Sequence, residues 1–221
     1  MADKLKVAVV TGGHPFPVPA FRELFNGMSD FDIYHQDLDN FASSRRDGTF
    51  DMYEAFVFYN MHYWGLLSVR KNMDEAIPAA LNALGENKAG ILVWHHALLS
   101  YPEMPALNVW ADITKLDRRR LQGFGASEIN TKIADANHPI TKGLSDWTMQ
   151  DEYFKLDEPG PGSHALLTTD HAESTKTLGW VHQHKNARVF CYQSGHGVGA
   201  YTDPTFKTVL TRGIEWVGGR S

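Results

Sequence analysis

"GILVWHHALLS", residues 90–100, decides the reading of this chain. Five apolar or small residues, 90–94, form a run too short for a helix. They fit a strand buried on both faces. The run stops at two adjacent histidines, His95 and His96, and a helical pattern follows. A strand, a sharp turn and a helix, with reactive side chains at the turn, is the layout of a nucleophile elbow. An elbow nucleophile would be Ser or Cys. Imidazole serves instead as a metal ligand or as a general acid or base. A bland alternative is a histidine that caps the next helix or fills a polar notch.

Outward from this stretch, short apolar runs alternate with helical patterns. "KVAVVT" at 6–11 reads as a strand that ends at Gly12-Gly13. Residues 19–28 suggest a helix, 32–35 a strand, 55–59 ("AFVFY") a strand, and 73–84 an amphipathic helix. This alternation predicts an α/β fold with a mostly parallel sheet and helices on both faces. Beyond residue 100 the pattern loosens. Strands are expected at 129–134, 165–169, 177–182 and 188–193, several of them pairing antiparallel as an extension of the sheet, with a closing helix at 204–217. "DEPGPG" at 157–162 reads as a loop. No repeat or linker divides the 221 residues, so one domain, 1–221, is expected.

Bulk properties narrow the function. A formal charge of -5 argues against a general nucleic-acid binder. The basic triplet Arg118-Arg119-Arg120 reads as a solvated face or turn. A single cysteine permits no internal disulfide and suits a reducing, cytoplasmic setting. Cys191, in the apolar "RVFCYQ", reads as a small core residue. The first ten residues carry no cleavage signal, and no run is long enough to cross a membrane. The glycine spacing matches no phosphate-binding loop, so no nucleotide cofactor is expected. The six tryptophans could line a sugar pocket or simply pack the core.

In an open parallel sheet the ligand crevice lies beyond the carboxyl ends of the strands. Three such ends carry polar groups: Gly12-Gly13-His14, Asn60-Met61-His62 and His95-His96. A second cluster, "YQSGHGVGAY" at 192–201, sets His196 between glycines that allow close approach, although a plain surface turn is the competing reading. "MQDEYF" at 149–154 places Asp151 and Glu152 among large apolar groups. Such carboxylates carry shifted pKa values, complete a His/carboxylate metal site, or form a solvated acidic turn. His138, in "NHPITKGL", either caps its loop or lines the cleft. His62, His164, His171, His182 and His184 have no supporting context and read as structural or surface residues.

These stretches resemble the ThuA-like, or trehalose-utilisation, family. The similarity runs through "VVTGGHPF" (9–16), "FVFYN" (56–60), "GILVWHHALLSYPEMP" (90–105), "NHPITKGL" (137–144), "DEYF" (151–154), "ARVFCYQSGHGVGAYTDPTF" (187–206) and "RGIEWV" (212–217). The order and spacing of the motifs are more specific than any one of them. The resemblance implies a flavodoxin-like three-layer fold related to class I glutamine amidotransferases. Those enzymes use an elbow cysteine with a histidine and an acidic partner. His95 and His96 stand at the elbow here, so glutamine hydrolysis through a thioester lacks its nucleophile. The family's association with disaccharides and their keto derivatives implies a carbohydrate ligand.

The resulting expectation is an enzyme that cleaves or eliminates a 3-keto-glycoside. Its catalytic groups would be His95, His196, Asp151 and Glu152, with Asp151 or His96 moving the proton. His95, His196 and Glu152 would hold a divalent metal, zinc or manganese. His14, Asn60, His96, His138 and Tyr153 would contact the sugar. A homo-oligomer is compatible with this reading. A non-catalytic sugar-binding or sensing module is the alternative.

Overall fold

A computed structural model describes residues 3–62, 73, 75–101, 108–117, 119 and 121–220. Nine strands form one sheet: β1 (Leu5–Gly12), β2 (Phe31–Asp37), β3 (Ala55–Asn60), β4 (Gly90–Trp94), β5 (Gly123–Ile133), β6 (Trp147–Lys155), β7 (His164–Thr168), β8 (Thr177–His184) and β9 (Ala187–Tyr192). Their order across the sheet is β2-β1-β3-β4-β9-β8-β7-β5-β6.

The first five strands in that order are mutually parallel. Alternate residues serve two cores, as the pleat requires. Ala8, Val10, Phe56, Phe58, Ile91 and Val93 face a layer made by α2 (Leu38–Asp47), α3 (Ala76–Ala83) and α4 (Val109–Thr114). Val7, Val9, Val57, Leu92 and Trp94 face α1 (Val18–Asn26), α5 (Val198–Thr202) and α6 (Pro204–Val217). Both faces are covered, so these strands are apolar throughout: β3 and β4 are buried at every position. On α6, Phe206, Val209, Leu210 and Ile214 are fully buried. Each such side chain contributes about 1.5–3 kcal/mol. Asp203 starts that helix by accepting a hydrogen bond from the Phe206 N–H at 2.7 Å, and Pro204 sits where its missing N–H costs nothing.

The expectation of a mostly parallel sheet is corrected. Every pairing beyond β9 is antiparallel: β9 with β8, β8 with β7, β7 with β5, and β5 with β6. The antiparallel β8–β9 pair needs only a tight turn at Lys185-Asn186, whereas a parallel neighbour would need a crossover helix. The strand expected at 129–134 is the end of the much longer β5, and β6 was not anticipated at all. Of the helix expected at 73–84, α3 covers Ala76–Ala83, and residue 74 lies outside the described residues.

The basic triplet also departs from expectation. Arg118 and Arg120 lie outside the described residues. Arg119 is buried, not solvated. Its guanidinium donates to the carbonyls of Ser100 (3.1 Å), Leu116 (3.2 Å) and Tyr101 (2.8 Å).

Candidate functional site

Register brings the polar strand ends together. Gly12 of β1 pairs with Asn60 of β3, and β4 lies beside β3. β9 lies against β4 and leads into Gln193–Gly197 at the same edge.

His95 follows β4 with φ 53°, a left-handed conformation uncommon for a side chain of this kind. It opens a 3-10 turn, His95–Leu99, in place of the expected α-helix. The His95 ring is fully buried and stacks on Phe154 at 4.7 Å. Its Nδ1 lies 2.7 Å from the Gln193 carbonyl. A carbonyl can only accept, so Nδ1 carries a proton and points Nε2 toward Glu152. That buried Nε2 makes no hydrogen bond and lies 3.3 Å from Glu152 Oε2.

His196 reaches the same carboxylate from the β9 side, with its Nε2 3.9 Å from Glu152 Oε2. One donor atom from each of His95, Glu152 and His196 falls within 4.8 Å of the others. The loop carrying His196 is held tightly. Gly195 has φ 116°, and a Cβ there would lie 2.2 Å from Trp94 Nε1, which itself donates to the Ser194 carbonyl at 2.9 Å. The Tyr59 hydroxyl supports the loop from below. It lies 2.5 Å from the Tyr201 hydroxyl and donates toward the carbonyls of Gly195 and His196.

Asp151 and Glu152 are neighbours on β6 and do different things. Asp151 Oδ2 accepts the Gly195 N–H at 2.7 Å, and Oδ1 accepts the His196 N–H at 3.0 Å. Burial raises its pKa against those bonds and the nearby His95. With both oxygens engaged, Asp151, the carboxylate for which the sequence suggested a proton-moving role, anchors the loop that presents His196. Glu152 faces the imidazoles. Burial acts to raise its pKa, but His95, His196 and His14 together outweigh that and hold it below the usual carboxylate value.

His96 donates from Nε2 to the Tyr59 carbonyl at 3.0 Å, and its Nδ1 is buried without a partner. Burial and the adjoining histidines push its pKa down to about 2. The neutral ring therefore offers Nδ1 as an acceptor toward the crevice. His14 lies over it with ring centres 4.6 Å apart, and is 5.8 Å from His196. Its Nδ1 donates to the Pro15 carbonyl at 2.7 Å, which frees Nε2. Gly13 makes this turn feasible: φ is 75°, and a Cβ would lie 2.0 Å from the Met61 carbonyl oxygen. Asn60 is buried at the same edge. It donates to the Tyr101 hydroxyl at 2.8 Å and contacts His62 Nδ1 at 3.0 Å, while its Oδ1 has no partner.

Two expected sugar contacts lie elsewhere. Tyr153 alternates with Glu152 on β6 and stacks on His171 at 4.5 Å, across Gly125. His138 packs edge-on against Trp216, with ring centres 5.0 Å apart. Trp216 ends α6, beside Val217, which packs against Gly90 at the start of β4. That is the opposite end of the sheet from His95. Sequence reasoning missed Tyr59, Gln193, Phe154 and Tyr201, which hold the imidazoles and their loop. Cys191 is buried in β9 with its thiol pKa pushed up by burial, far from thiolate behaviour.

The sheet and the elbow define the class. A glutamine amidotransferase from Thermotoga maritima shares the fold, with TM-score 0.55 and 10% identity over 97% of this chain and 98% of that one. A ThuA-like protein from Parabacteroides merdae superposes with TM-score 0.72 and 19% identity, over 98% of this chain and 91% of that one. A Salmonella typhimurium protein described as cytoplasmic has TM-score 0.70 and 12% identity, over 96% and 99%. The chain belongs to the ThuA family, described as trehalose utilisation, whose model matches residues 6–217. No curated protein matches it significantly in sequence. Among the described residues, no helix is long and apolar enough to cross a membrane.

Proposed function

We propose that the chain is a metal-assisted carbohydrate enzyme acting on a keto-sugar, and that His95, His196 and Glu152 hold a divalent ion. One observation carries this reading: a buried imidazole nitrogen, His95 Nε2, faces a carboxylate oxygen at 3.3 Å outside hydrogen-bond geometry, with a second imidazole beside them. Two acceptors so placed need a cation or a proton between them. The second N–H of His95 is committed to a backbone carbonyl, the arrangement that orients metal-bound histidines. Zinc or manganese fits this donor set. When bound, the ion would supply Lewis-acid polarisation of a substrate carbonyl.

The remaining groups suit a polyol. His96 Nδ1 and Asn60 Oδ1 are buried acceptors that lack donors, and sugar hydroxyls are donors. The proton-moving role falls to His14 Nε2. For a 3-keto-glycoside, the C2 proton passes to His14 Nε2, and the C2–H electron pair forms a C1=C2 double bond. The C1–O bond breaks with its electrons on the departing oxygen, which takes the proton back from the His14 imidazolium. The products are an enone and the free alcohol, with no further reactant. A cytoplasmic setting suits the lone, buried cysteine and the Salmonella structural relative.

Elemental analysis of purified protein, with zinc and manganese titrations, tests the metal site. About one ion per chain, lost in His95→Ala and His196→Ala, is expected. Turnover of a 3-keto-glycoside that persists unchanged in both variants refutes the proposal. Sugar binding without turnover by metal-loaded wild type would instead favour the sensing module.

A further inference from the structure

β2 is an edge strand of the sheet, and α1 covers it incompletely. Between them runs an open trough of about 540 Å³. Its floor carries Phe31 and Ile33 of β2, and its wall carries Phe21 and Phe25 of α1. Val18, 61% exposed, forms part of the rim. The volume lies in the range of small-molecule sites, roughly 300–1,000 Å³. Phe16 and Tyr59, with ring centres 5.7 Å apart, stand between this trough and His96, so it is separate from the histidine site.

The charge of the trough is one-sided. Lys4 and Arg22 line it, no carboxylate does among the described residues, and neither cation's side chain makes an ion pair or hydrogen bond there. In a chain of net charge -5, two cations without an ion-pair partner beside an apolar floor offer charge complementarity to an anion. Asn26, Ser29 and Thr11 add polar groups along the margin. An apolar body would remove Phe, Ile and Val surface from water, while a negative head would pair with the cations.

We propose that this trough binds a small amphiphilic anion, an aliphatic or aromatic carboxylate or its sulfonate equivalent. The test uses 8-anilinonaphthalene-1-sulfonate and dodecanoate as anionic probes, with N-phenyl-1-naphthylamine and dodecanol as their uncharged counterparts. Fluorescence and calorimetry on the folded wild type should give saturable, one-to-one binding of the anions. Arg22→Glu and Lys4→Glu, both surface changes, should each weaken anion binding about tenfold or more while altering the uncharged probes less than about twofold. Circular dichroism confirms that the variants are folded. Absence of saturable binding, or anion affinity unmoved by either charge reversal, overturns the proposal. So does equal loss of charged and uncharged probes. A wild-type dimer in sedimentation that Val18→Glu dissociates would assign the trough to a second copy of the chain, and overturns it too.

Discussion

Asp151→Asn tests how the His196 loop is held. The carboxylate is 8% exposed and accepts two backbone N–H groups, at 2.7 and 3.0 Å. Hydrogen bonds to a charged group contribute about 1.5–3 kcal/mol each. Asparagine retains one acceptor oxygen and turns its NH₂ toward the other N–H, so one bond is lost and two buried donors face each other. Relief from burying a charge offsets part of that loss. The expected net cost is about 2 kcal/mol. At about 2–4 °C per kcal/mol for a chain of this size, Tm should fall by about 4–8 °C. Zinc affinity should fall about 10–100-fold, as when a group supporting a metal ligand is lost, because the loop presents His196. Thermal denaturation and competition with a chromophoric chelator read the two effects. Amide exchange at Gly195 and His196 should speed up at the same time. A Tm within 1 °C of wild type together with unchanged zinc affinity would show that the carboxylate does not set the loop.

Glu152→Gln removes the carboxylate oxygen facing both imidazoles while keeping its shape, so zinc affinity should drop by about a hundredfold or more with a stability change under about 1 kcal/mol; equal affinity in the chelator assay would remove Glu152 from the site. Gly195→Ala drives a Cβ to 2.2 Å from Trp94 Nε1 at φ 116°, and should destabilise by about 3–5 kcal/mol in urea denaturation; a loss below about 1 kcal/mol contradicts the close packing drawn here. His182 is buried, and its pKa is pushed down to about 4, mainly by burial. Its unfolded form takes up a proton near pH 6.5, so stability is retained above that pH and declines as pH falls toward 4. Between pH 7 and pH 5 the unfolding free energy should decline by about 2 kcal/mol from this residue, and His182→Gln should flatten the profile by that amount. An unflattened profile in that variant would place the pH dependence elsewhere.

The parallel half of the fold was legible because strands buried on both faces spell themselves as unbroken apolar runs. "AFVFY" and "GILVW" are such runs, and each ends at the crevice. The antiparallel half was harder to read. In β6, "WTMQDEYFK", buried and open positions alternate and two acids sit mid-strand, which reads as a turn without knowledge of its partner. Missing β6 had a direct cost at the site. A strand alternates its side chains, so Asp151 and Glu152 must serve opposite faces. Without the strand, Glu152 was assigned to a metal and Asp151 to proton transfer, whereas on β6 Asp151 accepts the loop N–H groups of Gly195 and His196. His138 and Tyr153 were drawn toward the site by residue type alone, and type does not say which end or face of a sheet a side chain occupies. Arg119 carries the same lesson: three successive arginines read as surface, yet three carbonyls near the elbow required a donor that no apolar residue could supply.

The elbow concentrates the energetic costs that the proposed ligand would offset. A side chain at φ 53° costs about 1–2 kcal/mol relative to an ordinary conformation. A buried nitrogen without a partner costs about 1–3 kcal/mol more, and His95 carries both penalties, with His96 Nδ1 adding a second orphan one residue on. Glycine would relieve the first penalty, and an apolar residue would relieve the second. Neither replacement could hold a ring nitrogen 3.3 Å from Glu152 while its other nitrogen is pinned to Gln193. Backbone strain and unsatisfied polar atoms are concentrated on one turn at the carboxyl end of a central strand, where Glu152, 3.3 Å from His95 Nε2, is placed to share a proton or a cation with it. On the proposed reading, a cation held with Glu152 and a hydroxyl-rich partner would offset both deficits at once.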